Sequence, residues 1–268
     1  RPTFRSSCTV EFINYEDALT TLRLVSQSGL FPSNCRLLDA NEALFNGAGD
    51  GKSHLLILAF ESADHDKKAS LERALEISKD NKGNFEAPSQ DSQAHRSGSS
   101  GTWRNSFIKA PYLRESFTRR GIIQDTFETS ITWDKSKDFI QAVKDDTSKA
   151  ILEITGKPSL VTCRITHSYP DGLAPYFTFG AYATPSTMID TWKEIKCATN
   201  EICVSKGGTV THHHAVGRDH RPNGYDVQRD DLFSKVLIEA KAALDPKGIM
   251  NPGVLIDPKS KTITNWMS

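Results

Sequence analysis

The pattern of apolar and polar positions in the first part of the chain has two periods. Alternation of period two predicts strands at residues 7–12, 35–40 and 54–60, the last of them central. Apolar residues at helical spacing predict helices at residues 15–28 and 64–82, each followed by a glycine. The order strand–helix–strand–strand–helix indicates an antiparallel sheet with helices on one face.

The middle of the chain interrupts this pattern. Residues 88–101 are polar and rich in serine and glycine, which predicts a flexible loop. After this loop, residues 102–121 predict a helical stretch broken at Pro111, residues 122–133 a strand, and residues 135–154 a helix.

A strong hairpin signal begins the C-terminal half. Residues 159–183 predict two strands around a Pro-Asp-Gly turn at 170–172. Pro185 opens a predicted helix that ends at two glycines, 207–208, and the last predicted helix covers residues 226–244.

These elements predict an α+β fold. Residues 1–206 are expected to form a substrate domain with a ferredoxin-like antiparallel sheet covered by helices. Residues 207–268 are expected to form a C-terminal helical segment. A chain of 268 residues is long enough for a sizeable hydrophobic core.

Composition excludes several classes of protein. Lysine plus arginine and aspartate plus glutamate both total 33, so the zero net charge argues against a nucleic-acid partner. The longest strongly apolar run, residues 55–60, is far shorter than the roughly 20 residues of a membrane helix. The chain starts without methionine or a leader pattern, and we expect it to be a piece of a longer protein. Five cysteines without a C-x-x-C pair predict neither a disulfide framework nor a zinc knuckle and favour a reducing, cytosol-like compartment; three of them are expected to be buried small hydrophobes, Cys8, Cys35 and Cys163.

Three consecutive histidines, His212, His213 and His214, stand in the segment GGTVTHHHAVGRDHRP. They could be metal ligands, a purification tag, a solvated patch or acid/base groups. A tag is disfavoured because the run is internal. A metal is disfavoured because an extended segment would point only His212 and His214 the same way, with no Asp or Glu at ligand spacing.

The surroundings of the histidines favour acid/base chemistry, although the solvated patch stays open. The run follows a predicted short strand in a turn flanked by glycines, and Arg218 and Arg221 could hold an anion there. Histidine titrates near neutral pH, which suits it to proton transfer.

Tyr176 is a further candidate because strand alternation places it on the face opposite Phe177 and Phe179. A tyrosine in such a strand can equally be an amphipathic core residue. The two phenylalanines and Trp192 could line an apolar tunnel or belong to the core.

Three arginines stand in apolar surroundings: Arg36, Arg114 and Arg164. Such an arginine pairs with a carboxylate or a phosphate, because its charge is costly to leave unpaired. A substrate anion and a structural ion pair are both open for each of them, with Arg164 the weaker functional candidate.

The histidine segment, followed by AALDPKGIMNPGVLI, resembles the C-terminal end of alkyldihydroxyacetonephosphate synthases and their bacterial relatives. These enzymes belong to the FAD-linked oxidase superfamily typified by vanillyl-alcohol oxidase. The likeness extends through VTCRITHSYPDG, FETSITWD, APYLRESF, CRLLDANEALF and SCTVEFINYEDAL, and so covers nearly the whole chain.

The resemblance implies the C-terminal part of an FAD-dependent transferase. In that family the acyl chain of acyl-dihydroxyacetone phosphate is exchanged for a fatty alcohol through a flavin N5 adduct, which begins ether-lipid synthesis. Relatives are peroxisomal in eukaryotes, and a bacterial protein would be cytoplasmic. Peripheral membrane contact and a homodimer are compatible with the resemblance.

The resemblance also assigns roles to residues. Tyr176 and the three histidines match catalytic positions, while Arg114 and Arg36 match arginines that serve the substrate. We add Arg218 as a substrate-binding residue, Asn251 and His214 as cofactor contacts, and no metal ligand.

The flavin-binding part of the family is expected to lie outside this chain. Residues 45–52 contain glycines, but the sequence predicts no helix directly after them, unlike a pyrophosphate loop. We therefore expect residues 207–268 to pack on an absent FAD domain, and the chain alone to bind FAD weakly or not at all and to be inactive.

Other functions stay open. An FAD-dependent dehydrogenase of a small 2-hydroxy acid, of the lactate or glycolate type, would use the same histidines for a hydroxyl proton. A non-catalytic ferredoxin-like binding domain and, more remotely, a zinc hydrolase are the remaining alternatives.

Overall fold

The computed structural model describes residues 1–86, 88 and 98–259. Its strands form one antiparallel sheet in the order β1–β3–β2–β6–β7–β4, with β5 beside β7. The strands are β1 (Phe4–Phe12), β2 (Asn34–Leu38), β3 (His54–Ser62), β4 (Ile122–Glu128), β5 (Ile131–Thr132), β6 (Leu160–Ser168) and β7 (Gly172–Tyr182). The predicted α+β class is confirmed.

Helices connect and cover the strands. They are α1 (Tyr15–Gln27), α2 (Ala40–Phe45), α3 (Lys68–Asp80), α4 (Gly98–Thr118), α5 (Ser136–Thr155), α6 (Met188–Ser205), α7 (Asp226–Gln228) and α8 (Asp231–Leu244). No helix within the described ranges is both long enough and apolar enough to cross a membrane.

Two copies of one topology build the sheet. The first unit, residues 4–80, runs β1–α1–β2–β3–α3 with α2 inserted, and the second unit, residues 122–205, runs β4–α5–β6–β7–α6 with β5 inserted. In each unit the third strand lies between the other two. The units join where β2 pairs with β6, through Leu38 and Arg164 and the neighbouring residue pair.

Helices α1, α3, α5 and α6 cover one face of the sheet and form the main core with it. Alternation along β3 sends Leu56 and Leu58 into this core, while Leu55 and Ile57 face the other way, under α2. A fully buried side chain of this size stabilises the fold by about 1.5–3 kcal/mol. The main core therefore lies on one face, and the opposite face is available for other contacts.

Some element boundaries differ from the sequence prediction. Strand β2 ends at Leu38 and a helix begins at Ala40, because the Asp39 side chain accepts the N–H of Glu42 at 2.7 Å and caps the helix. The last predicted helix is two helices, since Asp230 caps a new one after α7.

Helix α4 also departs from the prediction. It continues through Pro111, although a proline inside a helix removes one backbone donor. The helix begins at Gly98, so residues 98–101 of the predicted loop are helical, and residues 89–97 lie outside the described residues.

The cysteines have no disulfide partners. Cys163 is buried as predicted, whereas Cys8 and Cys35 are only half-buried. Burial raises the pKa of Cys8 to about 11 and that of Cys35 to about 12, so these thiols stay protonated near neutral pH.

Candidate active site on the polar face of the second unit

The face of the sheet opposite the main core carries polar groups in the second unit. On β7, Phe177 and Phe179 are fully buried in the core, while Tyr176 points to the opposite face, as alternation predicted. Across the ladder, Tyr176 lies between Glu128 of β4 and Arg164 of β6. These three residues form the floor of the candidate site.

A buried carboxylate organises the histidine segment. Oε1 of Glu128 accepts the backbone N–H groups of His212, His213 and His214 at 2.7, 3.0 and 3.0 Å, and also the hydroxyl of Thr211. Consecutive N–H groups that converge on one anion form a compact anion-binding turn. The sequence patterns did not single out Glu128. Its position in a predicted strand gave no indication that its partners lie more than 80 residues later in the chain.

Hydrogen bonding keeps Glu128 ionised. Burial by itself raises the pKa of this carboxyl, but the hydrogen bonds from Thr211, His214 and His212 and the charge of His213 outweigh it, so the pKa lies below its ordinary value. A negative charge is therefore fixed beneath the histidines.

The predicted short strand before the histidines is wrong. The described residues 207–217 contain no strand. The N–H of Val210 is donated to the side chain of Gln228, and those of His212 and His213 are donated to Glu128, rather than to a neighbouring strand. The alternation argument for His212 and His214 therefore does not apply. The rings of all three histidines cluster, with centroids 5.4 Å apart for His212 and His213 and 4.6 Å apart for His213 and His214.

A β-bulge adds a fourth histidine. In the β6–β7 ladder Ile165 pairs with Pro175 but His167 pairs with Ala174, so the register shifts between them. Regular alternation would send His167 into the core after Ile165, and the bulge turns it to the face of Tyr176 instead. Its ring centroid lies 4.5 Å from that of His213. Sequence alternation alone could not reveal this residue.

Tyr176 is held by contacts on several sides. Its hydroxyl lies 3.1 Å from the hydroxyl of Thr126, its ring meets that of His214 edge-on at 5.4 Å, and the guanidinium of Arg164 lies 4.0 Å from the ring centroid. Arg164 itself pairs with buried Glu42, which supports the structural reading of this arginine. Tyr176 is thus fixed beside the histidines rather than packed in the core.

Two of the histidines are biased toward the neutral form. Burial is the main cause that lowers the pKa of His214, and neighbouring positive groups add to it. Burial also lowers the pKa of His167, with His213 and His212 as further causes. A neutral imidazole near physiological pH can accept a proton.

A polar cavity of about 510 Å³ opens beside Tyr176, and Arg114, Thr126, Lys196 and His214 contribute to its walls. Lys196 is buried and donates to the carbonyl of Thr126 at 2.8 Å, with Asp125 at 3.8 Å. Arg114, on α4, is exposed at this cavity. The structure therefore brings Arg114 and His214 to one cavity.

An apolar cavity of about 340 Å³ lies next to the polar one, and its lining includes Phe45, Phe117 and Leu160. Both cavities are lined by Gln124, whose buried Oε1 has no hydrogen-bond partner among the described residues. Helix α4 lines both, with Arg114 in the polar cavity and Phe117 in the apolar one. A cavity with charged residues in its walls therefore adjoins an apolar cavity.

The aromatic tunnel candidates divide between core and cavity. Phe177 stacks on Phe127 with centroids 4.9 Å apart and belongs to the main core, whereas Phe179 belongs to that core and also lines the apolar cavity. Trp192 instead lines the polar cavity, where its Nε1 donates to Asp125 at 2.7 Å.

The remaining arginines lie at the edges of the site. Arg36 is half-buried on β2; burial and nearby Arg164 lower its pKa, and its own charge lowers the pKa of His167. Arg218 donates to the carbonyl of Pro252 at 2.8 Å and so ties the histidine segment to the C-terminal turn.

That turn also holds Asn251, which is exposed and adopts a left-handed conformation with φ of 44°. Arg221, considered above for anion binding, pairs with Asp257 at 2.8 Å and Asp226 at 3.1 Å. Its charge is thereby used within the fold.

Residues 1–255 match the family described as "FAD linked oxidases, C-terminal domain", and the chain belongs to that family. The family resemblance read from the sequence is confirmed.

Two relatives of known sequence carry the same name. The chain is 26% identical over 263 residues to the alkyldihydroxyacetonephosphate synthase of Trypanosoma brucei brucei, covering 91% of this chain and 42% of that protein. It is 30% identical over 149 residues to the Caenorhabditis elegans protein of the same name, covering 54% and 25%. The chain thus spans less than half the length of these relatives.

Solved structures share the fold. An alkyldihydroxyacetonephosphate synthase superposes with a TM-score of 0.67 at 17% identity, covering 91% of this chain and 43% of the other. A p-cresol methylhydroxylase with substrate bound gives 0.68 at 11% identity, covering 98% and 54%.

Proposed function

We propose that this chain is the substrate-handling part of an FAD-dependent enzyme that exchanges the acyl chain of acyl-dihydroxyacetone phosphate for a fatty alcohol. The observation that carries the proposal is the adjacency of the polar and apolar cavities at Gln124. An amphiphilic substrate with a phosphate head and a hydrocarbon tail needs both kinds of space. The shared name of the relatives in three organisms supports the same reaction.

The phosphate head would lie in the polar cavity. Arg114 stands at this cavity without burial, so it can turn its planar guanidinium to a phosphate dianion and bind it through two hydrogen bonds. Lys196 adds positive charge at the base of the cavity, although Asp125 and Asp219 at 3.8 and 3.9 Å offset part of it. Arg114 is thus the main phosphate ligand in this proposal.

The acyl or alkyl tail would lie in the apolar cavity, against Phe117 and Leu160. Transfer of each buried methylene from water is worth about 0.8 kcal/mol, so the tail supplies binding energy at a distance from the reacting carbon.

Protons would move at the histidines. His214 is biased toward the neutral form and faces both Tyr176 and the polar cavity, so it is placed to accept a proton from the carbon next to the substrate ketone. Nδ1 of His213 lies 3.1 Å from Oε2 of Glu128, so a negative charge is held beside this ring as well. The Tyr176 hydroxyl orients the substrate oxygen.

The residues of this chain fit the reactive ring system of a flavin better than its ADP half. His214 and Asn251 are the residues that would contact the ring system, which when bound supplies an electrophilic centre for the exchange. The glycines at 47–51 precede strand β3 rather than a helix, so they do not form a pyrophosphate loop. The ADP half would need contacts from elsewhere.

Helix α8 offers a surface for a flavin domain. It has no buried residue, and Leu232, Phe233 and Val236 are more than half exposed. Apolar residues in such a row normally have a partner. We infer that residues 207–268 pack on an FAD domain in the complete protein. A stoichiometric yellow flavin spectrum of the 268-residue chain alone would contradict the weak flavin binding expected of it.

The exchange is tested on the complete protein loaded with FAD. Acyl-dihydroxyacetone phosphate and a fatty alcohol are supplied, and the ether product and free fatty acid are measured by mass spectrometry. We expect both products. Arg114→Ala should raise the KM for the phosphate substrate, and Arg119→Ala should leave that KM unchanged. Arg119 is a matched control because it is exposed near the end of the same helix and pairs with Glu115. Absence of ether product from flavin-loaded protein would refute the proposal.

A second candidate, a 2-hydroxy acid dehydrogenase, is favoured by one observation. The charge of Arg36 acts on His167, so a small carboxylate could bind at Arg36 while an imidazole takes the hydroxyl proton. This reaction leaves the apolar cavity unused. Reduction of a dye driven by lactate or glycolate, without ether product, would favour it.

A further inference from the structure

We propose that His167, His212 and His213 form a binding site for a divalent transition-metal ion of the zinc type. Each ring offers a nitrogen, and the three nitrogens lie within 4.8 Å of one another. This property goes beyond the exchange reaction, although it uses two histidines of the same segment.

The spacing of the nitrogens suits a single ion. The Nδ1 atoms of His212 and His213 are 3.2 Å apart. Two imidazole nitrogens bound to one tetrahedral zinc at about 2.0–2.1 Å are roughly 3.4 Å apart. Only a small movement of these rings would be needed, and His167 stands opposite them with its ring centroid 4.5 Å from that of His213.

A buried carboxylate oxygen points into the same place. Oε2 of Glu128 is buried and has no hydrogen-bond partner among the residues described, while its side chain is only 1% exposed. It lies 3.1 Å from Nδ1 of His213 and 4.0 Å from Nδ1 of His212. This oxygen supplies negative charge, and a fourth ligand after a small shift. A bound ion would therefore give a partner to the one oxygen of Glu128 that accepts no hydrogen bond from the described residues.

The scaffold holds these groups before any ion arrives. Oε1 of Glu128 fixes the backbone of His212 and His213, and the β-bulge fixes the direction of His167. The sequence argument against a metal depended on having two histidines and no acidic partner, and the structure supplies His167 and Glu128 as the missing groups.

The ligand set selects the kind of ion. Imidazole nitrogens favour zinc and its neighbours over magnesium or calcium, which prefer shells of oxygen atoms. Three imidazoles and one carboxylate oxygen suit a tetrahedral Zn²⁺. An ion on His213 would also occupy the nitrogen beside Glu128, so metal binding and proton uptake at that nitrogen exclude each other.

The test is a Co²⁺ titration of the chelator-treated 268-residue chain, followed by the visible bands of tetrahedral cobalt and by competition with Zn²⁺. We expect one saturable site that Zn²⁺ displaces. Glu128→Gln should weaken binding by about 10–100-fold, as loss of a supporting carboxylate does, and His167→Ala by at least about 100-fold. His65→Ala, an exposed histidine paired with Asp64, should bind as the unchanged chain does.

Two results would overturn the site: no saturable tetrahedral spectrum, or equal binding by the unchanged chain and the His167 variant. Far-UV circular dichroism checks folding, and His167→Gln replaces the alanine variant if that variant unfolds. Binding is measured without flavin or substrate, so failure here leaves the exchange proposal intact, and failure of the exchange assay leaves this result intact.

Discussion

The two units of the sheet have the same topology but different faces. In each, helices pack on one side, through Leu56 and Leu58 in the first unit and Phe177 in the second. On the opposite side the first unit buries Leu55 and Ile57 under α2. The second unit places Glu128 and Tyr176 at the equivalent position, where Glu128 holds the histidine segment that follows this unit in the chain.

This difference shows how one scaffold divides two tasks. The helix-covered face supplies stability in both units, since burial of apolar surface does not depend on what lies across the sheet. The second face is then free to carry polar groups where these are compensated, as Glu128 is by its four hydrogen-bond donors. We therefore expect the proposed reaction to be confined to one face of one unit.

The largest expected effect comes from a substitution at the contact between the two units. Glu42 is buried, accepts from Arg164 and from Thr162, and joins α2 of the first unit to β6 of the second. Glu42→Ala leaves a largely buried guanidinium without its carboxylate, and we expect a loss of about 3–5 kcal/mol in the free energy of unfolding. Urea denaturation measures it. Glu153→Ala, at an exposed position, is the control. Equal urea midpoints for the two variants would show that the contact of Glu42 with Arg164 does not contribute to stability.

The next prediction compares the same face of the sheet in the two units, which is apolar in the first unit and polar in the second. Ile57→Ala should lower the free energy of unfolding by about 2–5 kcal/mol because it leaves a cavity under α2, with little effect on turnover of the complete protein. Tyr176→Phe should do the opposite, with little change in stability and a turnover lower by about 100-fold. If Tyr176→Phe is as active as the unchanged enzyme, the polar face is not the reaction site.

A smaller effect is expected from Glu128→Gln. An amide cannot carry the charge that the four donors stabilise, so the free energy of unfolding should fall by about 1.5–3 kcal/mol. The imidazole NMR signals of the histidines should shift as the turn relaxes. Glu11→Gln is the matched control, since Glu11 is exposed on β1, the strand of the first unit that corresponds to β4. Unshifted histidine signals would show that Glu128 does not organise the segment.

The smallest expected effect is on the pH dependence of the free energy of unfolding. It is expected for one histidine of the first unit and for one that follows the second unit. Burial is the main cause that lowers the pKa of both His54 in the first unit and His214 after the second. In the window below the ordinary pKa of about 6.5 the unfolded chain binds more protons than the folded one, so stability should rise as the pH rises through that window. Replacing either histidine with glutamine should flatten the unfolding profile there, and an unchanged slope would contradict the burial of that ring.

Sequence patterns could predict the scaffold better than the site. The β6–β7 hairpin and the direction of Tyr176 followed from a turn signal and from alternation, which are local properties. Helix α2 was missed because it has six residues and depends on one cap at Asp39. The two units share a topology but no recognisable sequence repeat, because their sequences have in common only the pattern of apolar positions.

The missed site residues depend on contacts between distant parts of the chain. Glu128 meets His212 across 84 residues, and no spacing rule connects them. His167 reaches the site through a bulge that reverses the alternation expected after Ile165. The only sequence signal for either was an ionisable residue in a strand.

The central claim is that the polar face of the second unit performs the exchange, and the rate of ether-product formation by the flavin-loaded complete protein tests it most directly. His213→Gln is compared with His54→Gln, a half-buried histidine of the first unit that accepts the N–H of Ala40 at 3.1 Å. We predict a rate at least about 100-fold lower for His213→Gln and within about 2-fold of the unchanged enzyme for His54→Gln. Equal rates for the two variants would contradict the account.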